Sequence, residues 1–422
     1  MAAHVIVGAG MAGGTAAIAL REAGSDTITL IGTEPEPPYE RPPLSKAYLR
    51  GEVTFESALV RPAAFYAEHA ITTMFGARVV RIDASRRVVE LDDLRRVPYD
   101  TLLIATGGRN RLLSLPGARL KGIYGLRTVR DANRIREAMA AGRRAVVVGM
   151  GFIGSEVAAS LRKKGLDVIA IDPGKAPLVR VLGEAVGRTL ADLHQAHGVR
   201  TIFEDSVAAF EGDAHVARVV TRNGLRIDCD FVVAGIGIEP ETDLLDGSQV
   251  RIDNGVVVDQ YLRTSVEGIF AAGDVANHYH PVFDRHIRLE HWQNAVRQGA
   301  AVAQNMLGRR IAYDEIPWFW SDQYDSHVQY VGFHSTWDRL VVRGSLESGS
   351  YLACYMNDGR IDAAVGLNRG KDVRRVMPLI RARAVVDVAA LQDEHVDLRS
   401  MQAAAPGADH FAAVSRAAAS PG

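Results

Sequence analysis

The chain has 422 residues, 47% of them hydrophobic and 23% charged, so it is long enough for several buried cores and reads as about three domains. Lysine and arginine number 49 against 50 acidic residues, and a net charge of −1 gives no reason to expect nucleic acid or an anionic membrane as partner. The two cysteines, Cys229 and Cys354, stand far apart without C-x-x-C spacing, which argues against a disulfide framework, a zinc site or an iron–sulfur cluster and for a reducing compartment.

The first residues run straight into an apolar strand, "HVIVGAG", with no basic leader, and no apolar stretch is long enough to span a bilayer. A cytoplasmic protein without membrane contact is expected. The strand is followed by Gly8-Ala9-Gly10-Met11-Ala12-Gly13, a helical stretch closing at Gly24 and a second strand, "TITLIG". This is a βαβ unit with the dinucleotide-binding signature. Its first glycine makes the turn, its second admits a pyrophosphate, and its third lets helix and strand pack closely. Free N–H groups at the helix start then face the phosphates.

Residues 145–172 repeat the plan with "AVVVG", Gly149-Met150-Gly151-Phe152-Ile153-Gly154, a helix closing at Gly165 and the strand "DVIAID". The interval from first motif glycine to closing glycine is the same in both copies. Each unit also ends alike, in "YDTLLIATGG" around Gly107 and "CDFVVAGIGIEP" around Gly237, with Asp100 and Asp230 at corresponding offsets. Two dinucleotides are therefore expected. Asp172 ends the second strand of the later unit, where a carboxylate accepts ribose 2′-hydroxyl hydrogen bonds and repels a 2′-phosphate. NADH over NADPH follows, softened by the nearby Lys175 and Arg180.

Farther on, "TSVEGIFAAGDVAN" predicts a strand ending at Gly273-Asp274, with a helix starting near Trp292. From about Ile316 the pattern changes to short alternating stretches, "HVQYVG", "RLVVRG" and "YLACYMN", followed by a helical "GKDVRRVMPLIRARA". Antiparallel strands in a separate domain are expected there. The residues at 403–422, rich in Ala, Pro, Gly and Ser, predict a frayed tail.

The segments "PYERPPLSKAYL" (Pro38 to Leu49), "YGLRT" around Arg127, "GFIGSE", "AAGDVA", "EHWQNA" and "WFWSDQ" together resemble the FAD-dependent ferredoxin reductases of the putidaredoxin reductase and aromatic-ring dioxygenase type, in colinear order over nearly the whole chain. The resemblance implies an α/β fold of two Rossmann-like dinucleotide-binding domains, glutathione-reductase-like, plus a C-terminal α+β domain. The implied boundaries are 1–110 and 240–315 for FAD, 111–239 for NAD and 316–402 for the C-terminal domain. The implied activity is NADH-dependent reduction of a 2Fe-2S ferredoxin that feeds a monooxygenase or ring-hydroxylating dioxygenase, in a monomer or weak homodimer.

Carried over by position, the resemblance places non-covalent FAD on Gly8, Gly10, Ala12, Gly13, Lys46, Val79, Thr106, Arg127, Asp274 and Trp292, with Arg41 a candidate at the adenosine end. Asp274 would hold the ribitol chain, and the helix at Trp292 would point its positive end at the flavin. Relatives usually carry an aspartate where this chain has Thr33, so the ribose partner is either that position or Glu34. NADH falls on Gly149, Gly151, Ile153, Gly154, Asp172 and Gly237. Lys46 and Glu156 alone read as surface charges. The resemblance instead brings them together beside the reactive edge of the flavin, the lysine balancing charge and the glutamate fixing the nicotinamide carboxamide.

Two features stay open. Trp320, in the aromatic run Trp318-Phe319-Trp320, reads as core or as a cover for the flavin. The run Arg369, Lys371, Arg374 and Arg375 reads as a docking face for an acidic ferredoxin or as a solvated helix face. Among rivals, a disulfide reductase needs a cysteine pair that "PPYERPPLSKAYL" lacks. A monodehydroascorbate-type or other NADH-dependent flavin reductase needs no cysteine and also fits the sequence, and an apoptosis-inducing-factor-like signalling role is disfavoured by the compact "WFWSDQ" domain.

Overall fold

The computed structural model of the chain describes residues 2–25 and 27–401. The tail expected at 403–422 lies outside the described residues. A break after Ser326 divides the described residues into two compact units.

In chain order the first unit contains β1 (Ala3–Val7), α1 (Met11–Glu22), β2 (Thr27–Gly32), β3 (Ile71–Phe75), β4 (Thr101–Ile104), β5 (Ile123–Gly125), β6 (Arg144–Val148), α2 (Phe152–Lys163), β7 (Asp167–Ile171), α3 (Val179–Ala196), β8 (Arg200–Ile202), β9 (Phe231–Ala234), β10 (Ile269–Ala271), α4 (Trp292–Met306) and β11 (Trp318–Gln323). Two parallel sheets result, ordered β10-β4-β1-β2-β3 and β8-β7-β6-β9-β5. In each, the strand carrying the glycine turn lies between its βαβ partner and the strand that ends the unit. The late strand β10 returns to the first sheet beside β4, paired Ile269 to Leu102, so the first nucleotide unit is discontinuous in sequence.

Buried parallel strands read as unbroken apolar runs because both faces are covered. Leu102, Leu103 and Ile104 are each 0% exposed. Burying each such side chain contributes about 2 kcal/mol. The matched offsets of Asp100 and Asp230 have a common cause. Asp100 Oδ2 accepts from Ala3 N at 2.6 Å, and Asp230 Oδ2 accepts from Arg144 N at 2.8 Å, so each carboxylate ties the entry of its unit's last strand to the first. The crossings between the two parallel sheets pair antiparallel, Gly108–Asn110 with Ile238–Pro240, and Arg109 binds Glu239 at 2.7 Å, Glu241 at 2.5 Å and Asp243 at 2.6 Å.

The second unit has antiparallel strands β12 (Ser326–Gly332), β13 (Arg339–Ser345), β14 (Ser350–Asn357) and β15 (Arg360–Leu367), followed by α5 (Gly370–Ala382). Alternation predicted these strands. Arg343, 5% exposed, donates to the carbonyls of Leu391, Asp393, Glu394 and Val396, which satisfies the chain end after the short helix Val388–Gln392.

Candidate functional site

The two glycine turns are superimposable in their constraints. Gly8 has φ +114° and Gly149 φ +90°, and a Cβ there would lie 2.1 Å from Ala105 O and 2.5 Å from Gly235 O, respectively. The third glycines are tighter still: a Cβ on Gly13 would sit 1.9 Å from Gly8 O, and one on Gly154 1.8 Å from Gly149 O. The middle glycines, Gly10 and Gly151, face open space and are the N-caps of α1 and α2 without any side-chain cap. Backbone N–H groups at both helix starts are thus presented to whatever fills that space.

A cavity of about 520 Å³ opens above the first turn. Gly8, Gly10, Ala12, Thr33, Glu34, Arg41, Lys46, Val79, Thr106, Arg127, Asp274 and Trp292 all line it. Gly13 does not; it lies beneath, against Gly8. The size is that of a cofactor site. Arg127 donates to Asp274 at 2.8 Å, while its Nε and the Trp292 indole N–H are buried with no partner among the described residues. Donors left bare at the wall of a cavity, together with the uncapped glycine turn and the open start of α4 at Trp292, fit an anionic dinucleotide with a polar ring system. Glu34 gives one oxygen to Arg41 at 2.6 Å and the other to the Tyr39 hydroxyl, whereas Thr33 is exposed. Of the two, Glu34 is therefore the carboxylate held in place at the cavity wall.

Lys46 and Glu156 meet. Lys46 Nζ lies 2.6 Å from Glu156 Oε2, and Glu156 is 4% exposed. The same carboxylate accepts from Ser45 Oγ at 2.5 Å and, through Oε1, from Ser321 Oγ at 2.7 Å. Glu156 and Ile153 belong to the first turns of α2, the helix of the second nucleotide unit, yet both line the cavity of the first. The wall beside Lys46 is thus shared by both nucleotide-binding βαβ units. The other residues of the second turn, Gly149, Gly151, Gly154 and Gly237, lie away from this cavity. Asp172 spends one oxygen on Met150 N at 2.6 Å and the other on Gly174 N at 2.7 Å, which fixes it against the second turn. Lys175 pairs with Glu184 at 3.7 Å and Arg180 is exposed.

Sequence reasoning passed over several lining residues. Phe152, Arg109, Glu241, Glu290, His291 and Phe319 face the cavity. Trp320, which the sequence left as core or cover, also lines it, and its ring meets Trp292 edge-on at 5.7 Å. Glu290 and His291 immediately precede an uncapped helix, and that position was the available signal. Of the basic run, Arg369 and Arg375 turn to the buried Asp372 at 3.3 and 3.4 Å, leaving Lys371 and Arg374 exposed. Cys229 and Cys354 are both buried, their thiols pushed up by burial to about 11 and about 12, and neither lines the cavity.

Residues 2–299 match the family described as pyridine nucleotide-disulphide oxidoreductase, and residues 318–402 match the reductase C-terminal family. Rhodocoxin reductase of Rhodococcus erythropolis is 41% identical over 94% of this chain and 93% of its own. The anthranilate 1,2-dioxygenase system ferredoxin–NAD(+) reductase component of Burkholderia cepacia is 40% identical over 94% and 98%. Among solved structures, the covalent putidaredoxin reductase–putidaredoxin complex superimposes with a TM-score of 0.91 at 36% identity, covering 95% of this chain and 98% of that one.

Proposed function

We propose, for a chain that belongs to the pyridine nucleotide-disulphide oxidoreductase family and within it to the flavoprotein ferredoxin reductases, that it takes electrons from NADH and hands them singly to a small 2Fe-2S ferredoxin serving an oxygenase. The family binds FAD and uses NAD(H). Bound in the cavity, FAD supplies the conversion from a two-electron donor to one-electron release.

The chain's own contribution is placement. The uncapped start of α1 and Gly10 receive the pyrophosphate, Glu34 with Arg41 the adenosine end, and Arg127 with Asp274 the ribitol. Lys46 places a cation at the wall shared with the second βαβ unit, and Glu156 orients that cation and the incoming nicotinamide. Asp172, fixed by two backbone donors, meets the NADH ribose and disfavours a 2′-phosphate. The domain division 1–110 with 240–315, 111–239 and 316–402 follows this assignment of nucleotides.

One observation carries the acceptor. Among the described residues no cysteine lines the cavity, so the electrons leave to an outside acceptor and not through a thiol pair. The exposed Lys371 and Arg374 favour an acidic partner. No helix among the described residues is long and apolar enough to cross a membrane, and we place the enzyme in the cytoplasm as a monomer or weak homodimer. The test is steady-state turnover of the FAD-loaded chain with NADH against a panel of 2Fe-2S ferredoxins, read by cytochrome c. Fast ferredoxin-dependent reduction is expected, with negligible disulfide or peroxide reduction. Reduction of ferricyanide by NADH with no ferredoxin reduced would sink the acceptor assignment.

A further inference from the structure

Behind Glu156 lies a series of buried polar groups that binding of the two nucleotides does not require. Ser321 and Gln323, both 0% exposed, alternate along β11 with Trp320, which lines the cavity. His194, also 0% exposed, reaches them from α3 of the second nucleotide unit. The links are continuous. The Tyr324 hydroxyl lies 3.0 Å from His194 Nδ1, His194 Nε2 lies 3.1 Å from Gln323 Oε1, Gln323 Nε2 donates to Ser321 Oγ at 3.4 Å, and Ser321 Oγ donates to Glu156 Oε1 at 2.7 Å.

We propose that Ser321, Gln323 and His194 are positioning residues for the Lys46–Glu156 pair, joined in a hydrogen-bond chain that runs one way from the Tyr324 hydroxyl to the Glu156 carboxylate. The inference deepens the function proposed above, and its kinetic arm rests on that reading.

Direction follows from counting protons. A carboxylate only accepts, so Ser321 must donate to Glu156 and its oxygen is left to accept from the Gln323 amide nitrogen. That sets the amide, whose oxygen then faces His194 and needs a donor there. A neutral imidazole has one N–H, which must sit on Nε2, so Nδ1 accepts from Tyr324. Burial lowers the His194 imidazole to about 4 and raises the Tyr324 hydroxyl well above its ordinary range, so one ring proton and one phenol proton are what the site holds at neutral pH. Every dipole points at Glu156, and aligned links strengthen one another in a low-dielectric interior. An amide in mid-chain does not pass protons readily, so the chain orients the carboxylate and is not a proton route.

The consequence is mechanical. Glu156 is on α2, Lys46 follows the first nucleotide unit's Pro-rich segment, and the chain ties the carboxylate between them to a third element. His197 stacks on Tyr324 at 3.7 Å and 9°, closing the far end against α3. With Ser45 holding Oε2 and Ser321 holding Oε1, both oxygens of Glu156 have a fixed direction at the cavity wall.

The test has two independent arms. In the whole FAD-loaded chain, ¹⁵N shifts of the His194 imidazole are expected to report a neutral ring protonated on Nε2 at pH 7; an Nδ1–H tautomer or a charged ring overturns the one-way chain whatever the enzyme turns over. In the second arm, Ser321→Ala and the near-isosteric Gln323→Leu are expected to slow single-turnover flavin reduction by NADH about tenfold, the size of one charge-assisted hydrogen bond. FAD content should be unchanged, and Ser321→Thr, which keeps the hydroxyl, should restore the rate. In a Glu156→Gln background the same two substitutions should change the rate by less than about twofold, because they act only through that carboxylate. Fully additive slowing would show a general structural role instead and overturn the proposal. Should Gln323→Leu fail to load FAD, Ser321→Ala and the tautomer measurement decide. Normal flavin reduction with no ferredoxin reduced would count against the acceptor alone.

Discussion

Glu156 accepts from Lys46, Ser45 and Ser321 in a space from which water is almost excluded. Its charge has a partner at 2.6 Å that is itself only 13% exposed, so removing the charge leaves a desolvated ammonium. Glu156→Gln keeps the shape and most hydrogen bonds. It is expected to retain FAD and to slow flavin reduction by NADH at least about tenfold, as read by stopped-flow absorbance; loss of flavin in this variant would mean that the residue belongs to the FAD cradle. Asp172 calls for an equally gentle change because Met150 N and Gly174 N both lean on it. Asp172→Asn keeps an acceptor for one of these donors but removes the charge. The Michaelis constant for NADH should rise and the NADH/NADPH preference should narrow by roughly tenfold; an unchanged ratio removes Asp172 from the ribose site. At this scale the motif glycines were legible because a tight turn admits few residue types. Lys46 and Glu156 were legible only through the whole-chain resemblance. Ser321, Gln323 and His194 were not, since their roles exist only once distant segments are brought together.

The two βαβ elements offer a sharper dissection, because the same steric fault can be placed in either one. A Cβ on Gly13 or Gly154 would meet a backbone oxygen at 1.9 or 1.8 Å, a contact that no rotamer can relieve. The helix must move off its strand, and the N–H groups at the phosphate site move with it. Gly13→Ala is expected to yield a chain that purifies largely without flavin, whereas Gly154→Ala should keep its flavin and lose tight NADH binding. Flavin content and an NADH titration of each variant check this, and an exchange of the two phenotypes would reverse the assignment of nucleotides. These elements were readable from local periodicity and punctuation. The antiparallel crossing of Gly108–Asn110 with Ile238–Pro240 was not: such short strands have no pattern of their own, and Arg109 clamps them to three carboxylates far away in sequence. The change of composition at Trp318 was legible in the sequence, and the match to the reductase C-terminal family begins there.

For the whole molecule, the buried histidines tie stability to pH. Burial lowers His194 from 6.5 to about 4 and His278 from 6.5 to about 3. His278 accepts from Gln298 at 3.1 Å, and Gln298 in turn accepts from Gly273 N at 2.8 Å, so this neutral ring stands behind the turn that carries Asp274. Unfolded, both rings take up a proton near their ordinary value; folded, they do not until the pH is far lower. Between those limits the unfolded chain binds more protons than the native one, so stability falls as pH falls below about 6.5, by as much as a few kcal/mol per ring. Bound FAD adds the same increment to the native state at every pH where its affinity is constant, and does not change the slope. The urea midpoint of the FAD-loaded chain should therefore be level from pH 8 to about 7 and decline steadily toward pH 5. His194→Gln retains a hydrogen-bonding side chain with no proton to gain, so its midpoint should decline less steeply over the same interval even if it starts lower. A variant whose slope matched that of the parent would show that His194 contributes nothing to the acid sensitivity of the fold.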